Sequence, residues 1–291
     1  MFILPNEILV IMGPAASGKS ALALEWAEKF NGEIVSVDSM QLYRGLEIGT
    51  AQPTAEEKAR IPHHLVGCFD FQQRVDLFEF IKLADAAIAD IVSRGKTPIL
   101  AGGTGLYLRG LLCGVDDLPA DRELRTRLDE QYDSDEAMPA LLERMAQLDP
   151  AAYERWKQCR RRLIRALEVK LLTGKSITEL QQNSGDTLRY NAKGCKIELD
   201  SGVLKDRIRR RTIQMLKDGW IGEAETAIAN GLFQSPTAHQ VLGYKLIAQH
   251  LAGEFDHDTL IDRIATATWQ LARRQRTWFR HQLPFFPAKK L

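Results

Sequence analysis

The residues Gly13-Pro14-Ala15-Ala16-Ser17-Gly18-Lys19-Ser20 match the spacing G-x-x-x-x-G-K-[ST] without a mismatch. Glycines set this far apart let the backbone curl until successive N–H groups face inward at an anion. Lys19 adds a point charge for phosphate oxygens, and the Ser20 hydroxyl can serve a Mg²⁺ ion. Such a loop binds a diphosphate, but nothing in it specifies which diphosphate or what becomes of it. Asp38 is the second candidate, at the end of the run Glu33-Ile34-Val35-Ser36-Val37-Asp38. A carboxylate there can act as a general base, stand behind a metal ion, or cap a following helix. The third is Gly102-Gly103-Thr104-Gly105-Leu106-Tyr107, which offers exposed amides and the Thr104 hydroxyl. Arginines form two further groups. Arg207 and Arg211 share one face of a helical segment with Arg210 adjacent, and Arg161 and Arg165 share a face of another. Each group faces either phosphate or, more blandly, solvent and surface ion pairs.

Elements must carry these residues. Ile8 to Met12 is a continuous apolar run, which predicts a strand buried on both faces. Ala21 to Phe30 is rich in Ala, Leu and Glu and predicts a helix whose N-terminus faces the same anion. Residues 33–38 predict a second strand after the turn Asn31-Gly32. Its C-terminal end is where open α/β sheets hold their ligands. Apolar periodicity predicts a helix over 77–94, and Pro98 to Ala101 a third strand running into Gly102. At Asp116-Asp117-Leu118-Pro119 the texture changes, and helices are predicted over 121–132, 136–147, 150–157 and 160–173 with no strand among them. A turn-rich return over 184–194 leads to a fourth strand at Lys196 to Asp200. Helices follow over 203–217, from Gly243-Tyr244-Lys245 onward, and over 259–281. The pattern predicts an α/β fold: a P-loop NTPase-like parallel sheet core from residues 1–120 and 188–291, and a helical insertion domain over 121–187. His63 and His64 are neighbours in an extended stretch and point to opposite sides, so they are expected to be structural or substrate-lining rather than metal ligands.

The 291 residues are 45% hydrophobic, enough for a substantial core. A net charge of +1 does not by itself indicate a polyanion partner. Its distribution is uneven, since 121–154 is mainly acidic while 155–175, 205–217 and 263–291 are basic. In the last of these, Arg273, Arg274, Arg276 and Arg280 are interleaved with Trp269, Trp278 and Phe279, a mixture suited to RNA. Cys68, Cys113, Cys159 and Cys195 form no C-x-x-C pair, which argues against zinc and disulfides and for a reducing compartment. No apolar run approaches the ~20 residues that cross a bilayer. The start MFILPNE lacks the features of a secretory signal, so a cytoplasmic protein with no membrane association is expected.

Read together, GPAASGKS (13–20), SVDSMQLYRGLEIGTAQP (36–53), IPHHL (61–65), GGTGLY (102–107), LPAD (118–121), RALEV (165–169), QVLGYK (240–245) and RRQRTWFR (273–280) closely resemble the tRNA dimethylallyltransferases, or tRNA isopentenyltransferases, of bacterial type. The stretches occur in the family's order and span almost the whole chain. A P-loop alone is shared by hundreds of unrelated proteins, whereas DSMQLYR, GGTGLY and RQRTWFR together are specific.

The resemblance implies transfer of a dimethylallyl group from dimethylallyl diphosphate to N6 of the adenosine 3′-adjacent to the anticodon, with release of diphosphate. It further implies Mg²⁺ as cofactor, no nucleoside triphosphate hydrolysis, an insertion that grips the anticodon stem-loop, and a monomer. Carried over residue by residue, it makes Asp38 the base and Thr104 and Arg211 catalytic partners. Gly13 to Ser20 hold the diphosphate, Arg207 assists, and Ser20 meets the metal. Contacts to tRNA are implied for Asp38, Ser39, Met40, Gln41 and Thr104, for Arg125, Arg161, Arg162, Leu163, Ile164 and Arg165, and for Gln240, Gly243, Tyr244 and Lys245. Two stretches depart from the family pattern: Gln158 to Arg162, and Thr266 to Arg274 with Trp269 and Leu271. The competing readings are a small-molecule P-loop kinase, with Asp38 serving a hydroxyl acceptor, and an RNA-binding ATPase switch. The kinase reading does not account for GGTGLY or RQRTWFR, and PILAGG lacks the terminal Asp that the switch requires.

Overall fold

The computed structural model describes residues 7–116, 118–181 and 187–290. The predictions that concern the first six residues, Asp117 and residues 182–186 therefore lie outside the described residues. Strand β1 (Ile8–Met12) is the centre of the sheet, and each of its side chains is at most 1% exposed. Helix α1 (Lys19–Lys29) follows, then β2 (Gly32–Val37), α2 (Ala55–Arg60), the two-residue β3 (His63–His64), α3 (Leu77–Ser93), β4 (Thr97–Gly102) and α4 (Gly105–Cys113). The predicted helical stretch contains α5 (Arg122–Tyr132), α6 (Met138–Leu148), α7 (Pro150–Trp156), α8 (Arg160–Thr173) and the single turn α9 (Ile177–Leu180). The chain then adds β5 (Ala192–Glu198), α10 (Ser201–Lys217), α11 (Trp220–Ala229), α12 (Tyr244–Leu251), α13 (His257–Gln282) and β6 (Ala288–Lys290).

The six strands pair in the order β3-β2-β4-β1-β5-β6, all parallel. Parallel pairing requires crossovers that cover both faces, which is why Ile8–Met12 carries no polar residue. Strand β5 begins four residues before the predicted Lys196. Ala192, Lys193 and Gly194 read as the end of a turn, but their backbone pairs with Ile8 to Val10. Gly194 is needed there, because a side chain would run into the carbonyl of Val10. Asp200, predicted as the strand's last residue, instead caps α10 by accepting from the amides of Gly202 and Val203. Helix α11 and strand β6 went unpredicted.

By internal contacts the chain divides into two compact units, Met1–Leu112 with Leu188–Leu291, and Cys113–Thr187. The second unit is helical among the described residues and has its own core, built around Leu141, Met145, Leu163, Leu167 and Val169. In the first unit, Glu33 lies buried at the start of β2. It accepts from Arg94 Nη1 and Nη2 at 2.5 and 2.7 Å, from Lys96 at 2.8 Å, and sits 2.8 Å from His64 Nε2. Hydrogen bonds from Arg94 hold its carboxyl far below the usual range against the opposing effect of burial. His64 is thus structural, as expected.

Candidate active site

Three neighbouring strands end together. Gly102 at the end of β4 lies in register between Met12 of β1 and Val37 of β2. The loops that follow, 13–18, 38–54 and 103–104, therefore emerge along one edge of the sheet, strand spacings of about 4.8 Å apart. Gly102 has no room for a side chain, which would collide with the carbonyl of Val37.

In the first loop Ala16 and Gly18 both adopt left-handed backbone conformations, with φ of 61° and 91°. The curl leaves the N-terminus of α1 without a side-chain cap, so its first amides remain for an anion. Lys19 donates to the carbonyl of Pro14 at 3.3 Å. Gln275 from α13 braces this loop: its Oε1 accepts from Ala15 N at 2.8 Å, and its Nε2 donates to the carbonyl of Gly103 at 3.0 Å. One side chain thus ties together two of the three loops. Next to it, Trp278 packs over Gly105 so closely that any side chain there would overlap the indole.

A cavity of about 140 Å³ opens between the loops. Ala15, Lys19, Ser20, Asp38, Arg211 and Gln275 line it, together with an apolar wall that includes Met40, Met215, Trp220, Val241, Ile264 and Leu271. Spacing along α10 and α13 sets the lining. Met215 is one turn, about 6 Å, beyond Arg211, and Leu271 one turn from Gln275, with Thr212 and Thr268 also in the lining. Desolvation, then the neighbouring Arg211, lowers the Lys19 pKa from 10.5 to about 8, with Asp38 opposing both. Burial likewise pulls Arg211 below its ordinary value, and Asp38 partly restores it. Two crowded cations beside one carboxylate make a site that gains when a multiply charged anion enters.

The family model described as IPP transferase matches residues 41–282, and the one described as isopentenyl transferase matches 6–62. The chain belongs to the IPP transferase family, the tRNA dimethylallyltransferases. It is 42% identical over 280 residues to "tRNA dimethylallyltransferase 1" of Trichlorobacter lovleyi, covering 95% of this chain and 91% of that one. It is 41% identical to the tRNA dimethylallyltransferase of Geobacter metallireducens over 280 residues, covering 94% and 90%. Among solved structures, the tRNA isopentenylpyrophosphate transferase of Bacillus halodurans superimposes with a TM-score of 0.71 at 34% identity, covering 98% of this chain and 90% of that one. A eukaryotic dimethylallyltransferase crystallised in the course of acting on tRNA gives 0.82 at 27% identity, covering 98% and 74%.

Against this family the predicted residues sort themselves by burial and bonding. Lys19, Ser20, Asp38, Met40, Gln41 and Arg211 share the cavity. Asp38 Oδ1 also accepts from Met40 N at 3.0 Å within a turn, and the next helix starts only at Ala55, so the helix-capping alternative does not hold. Thr104 does not line the cavity. Its hydroxyl accepts from Ser39 N at 3.1 Å and its amide donates to Val37 O at 3.2 Å, which pins the loop that bears Asp38. Gln41 donates to the carbonyls of Thr50 and Ala51 and accepts from Ser36, so its amide group braces the cavity wall. Arg207 is exposed, with Nη1 3.5 Å from the carbonyl of Ser17, one helical turn before Arg211. Gln240 and Lys245 are exposed, whereas Gly243 and Tyr244 are buried, Tyr244 completely, and the tyrosine has no surface to offer an RNA.

The helical unit requires further corrections. Leu163 and Ile164 belong to its core at 0% and 1% exposure, because α8 turns its apolar stripe inward. Arg125 and Arg165 are held by Glu168, a carboxylate only 1% exposed. Arg165 Nη1 donates to it at 2.7 Å and Nη2 to the carbonyl of Leu118 at 3.0 Å, while Arg125 contributes Nε at 2.9 Å. Burial raises the Glu168 pKa, and the two arginines more than reverse that. Both arginines therefore hold the fold. Arg125→Ala is expected to destabilise the protein by about 3 kcal/mol by stranding part of a buried charge, measured by denaturant unfolding. Arg161 and Arg162, in contrast, are exposed. The mixture read along residues 269–280 also divides. Phe279 is core, while Arg273, Arg274, Thr277, Trp278 and His281 line an open groove on the outer face of α13.

The residues missed from sequence are Met215, Trp220 and Ile264 of the apolar wall, above all Trp220, together with Gln275, which stood inside a quoted motif without a role. Helical spacing was their available signal: Ile264, Thr268, Leu271 and Gln275 recur every three or four residues and face one cavity.

Proposed function

We propose that the protein transfers the dimethylallyl group of dimethylallyl diphosphate to N6 of the adenosine 3′-adjacent to the anticodon of tRNA. The observation that carries this reading is one cavity with cations and loop amides at one end, a carboxylate beside them, and apolar side chains set among threonines beyond. The apolar residues of that wall, Met215, Trp220, Val241, Ile264 and Leu271, suit a five-carbon allyl chain, which needs no polar partners. In the reaction the N6–C1 bond forms as the C1–O bond to diphosphate breaks, and Asp38 takes the proton from N6. Lys19, Arg211 and the loop amides neutralise charge growing on the leaving group. The exposed Ser20 hydroxyl is a hard oxygen donor beside the diphosphate loop, so it fits Mg²⁺, which takes few protein ligands and completes its shell with phosphate oxygens and water. Bound there, the ion would add positive charge against the leaving diphosphate. The target base must leave the anticodon-loop stack to reach Asp38.

No described helix is long and apolar enough to cross a membrane. We take the enzyme to act on tRNA in the cytoplasm as a monomer. Incubation with labelled dimethylallyl diphosphate and unmodified tRNA should place label on the RNA. ATP-dependent phosphoryl transfer with unlabelled RNA would refute the reading. The insertion is assigned to the anticodon stem-loop through Arg161 and Arg162. Replacing both with Ala should reduce the slope of log K against log salt by about 2, one per lost phosphate contact. An unchanged slope, measured by filter binding across a salt series, would leave that face to solvent.

A further inference from the structure

We propose that Glu223, on α11, is the positioning residue that holds the cavity wall in register with the transferred group, a role that rests on the reading above. The wall strip Ile48-Gly49-Thr50-Ala51 supplies three cavity-lining residues yet belongs to no helix or strand. Its backbone is held from two sides. Glu223 Oε2 accepts from Ile48 N at 2.7 Å and Oε1 from Gly49 N at 2.8 Å. On the other side Gln41 Nε2 donates to the carbonyls of Thr50 and Ala51 at 3.0 and 2.9 Å. A carboxylate is suited to the first task because both of its oxygens accept. A carboxamide of the same shape would turn an NH₂ toward one of those amides.

The same carboxylate fixes a third element. Tyr244 donates its hydroxyl to Glu223 Oε1 at 2.5 Å, and burial followed by this bond pushes the phenol far above its usual pKa. Tyr244 packs edge-on against Trp220, with ring centroids 5.9 Å apart, and Trp220 lines the cavity. Gly49 lies against both rings, so that any side chain there would overlap Trp220 Nε1 and the Tyr244 hydroxyl. Gly243 meets Trp220 from another direction, where a Cβ would come within 2.5 Å of the indole. Glu223 thus joins the strip, the aromatic pair and α11, and it stands outside the cavity lining.

The test compares Glu223→Gln and Tyr244→Phe with the wild type in the full chain. Two readouts are used: amide hydrogen exchange, and steady-state transfer from dimethylallyl diphosphate to tRNA. For Glu223→Gln, exchange at Ile48 and Gly49 should accelerate at least tenfold while β1 and β4 stay protected. In the same variant kcat should fall at least tenfold, with tRNA affinity unchanged. Tyr244→Phe, which leaves both backbone bonds in place, should lose no more than threefold. Unchanged exchange at Ile48 and Gly49 would overturn the proposal, as would accelerated exchange with wild-type kcat and KM. A wild type that transfers no prenyl group would refute the proposed reaction, while the exchange data would still decide whether Glu223 clamps the strip.

Discussion

Asp38→Asn should abolish prenyl transfer by 10²- to 10⁴-fold, the range expected when a positioned general base is removed, while tRNA binding survives. The asparagine oxygen can still accept from Met40 N, so the loop that Thr104 pins should keep its shape. Affinity for the donor should hold or rise, because the carboxylate that repels an incoming diphosphate is gone while Lys19 and Arg211 remain in the cavity. The signature is thus a collapse of kcat with an unchanged or lower KM for dimethylallyl diphosphate. Single-turnover kinetics and filter binding separate these terms. A kcat within tenfold of wild type would remove Asp38 as the base.

Lys19→Met should act in two opposite directions. Loss of an ammonium aimed at the leaving group is expected to lower kcat/KM by about 10²- to 10³-fold. The folded protein should nevertheless become more stable. A pKa reduced from 10.5 to about 8 means that the native state holds this charge at a disadvantage. At about 1.4 kcal/mol per pKa unit, with allowance for residual solvation, the substitution should gain roughly 1–3 kcal/mol at neutral pH. The pH dependence has a definite sign. Between about 8 and 10.5 the unfolded chain binds the proton that the folded one has released, so wild-type stability should rise with pH across that window. In the same window donor affinity should fall as the free enzyme loses the charge. Calorimetry at pH 7 and pH 9 tests the first effect, and donor binding at the two pH values the second. Equal stability of variant and wild type at pH 7 would refute the account of Lys19.

The sheet core was readable from sequence because both of its signals are local. Five consecutive apolar residues specify a buried parallel strand, and the phosphate loop needs only eight positions. Asp38 could be placed at the cavity because a strand's end beside that loop is a place with chemical meaning. The start of β5 was missed because Ala192 to Gly194 pair through backbone atoms, to which side-chain patterns are blind. Burial misled the reading of α8. Resemblance carried over Leu163, Ile164 and Arg165 as a run of contacts, but on a helix consecutive residues face different ways: two enter the core and one turns to Glu168. Trp220 and Glu223 escaped for a different reason. Their meaning comes from Ile48, Gly49 and Tyr244, residues far away in sequence that only folding brings near.

Glu33 stands at the opposite end of β2 from Asp38, about 16 Å away along an extended strand. The strand therefore has an anchored foot and a reactive head. Glu33, gripped by Arg94, Lys96 and His64, keeps its charge in the folded state well into acid, so the stability this lock contributes should be full above the ordinary carboxylate range and decline as the medium falls through and below it. Substitutions at the foot, such as Lys96→Ala, should therefore change tolerance to acid more than they change the geometry at the head.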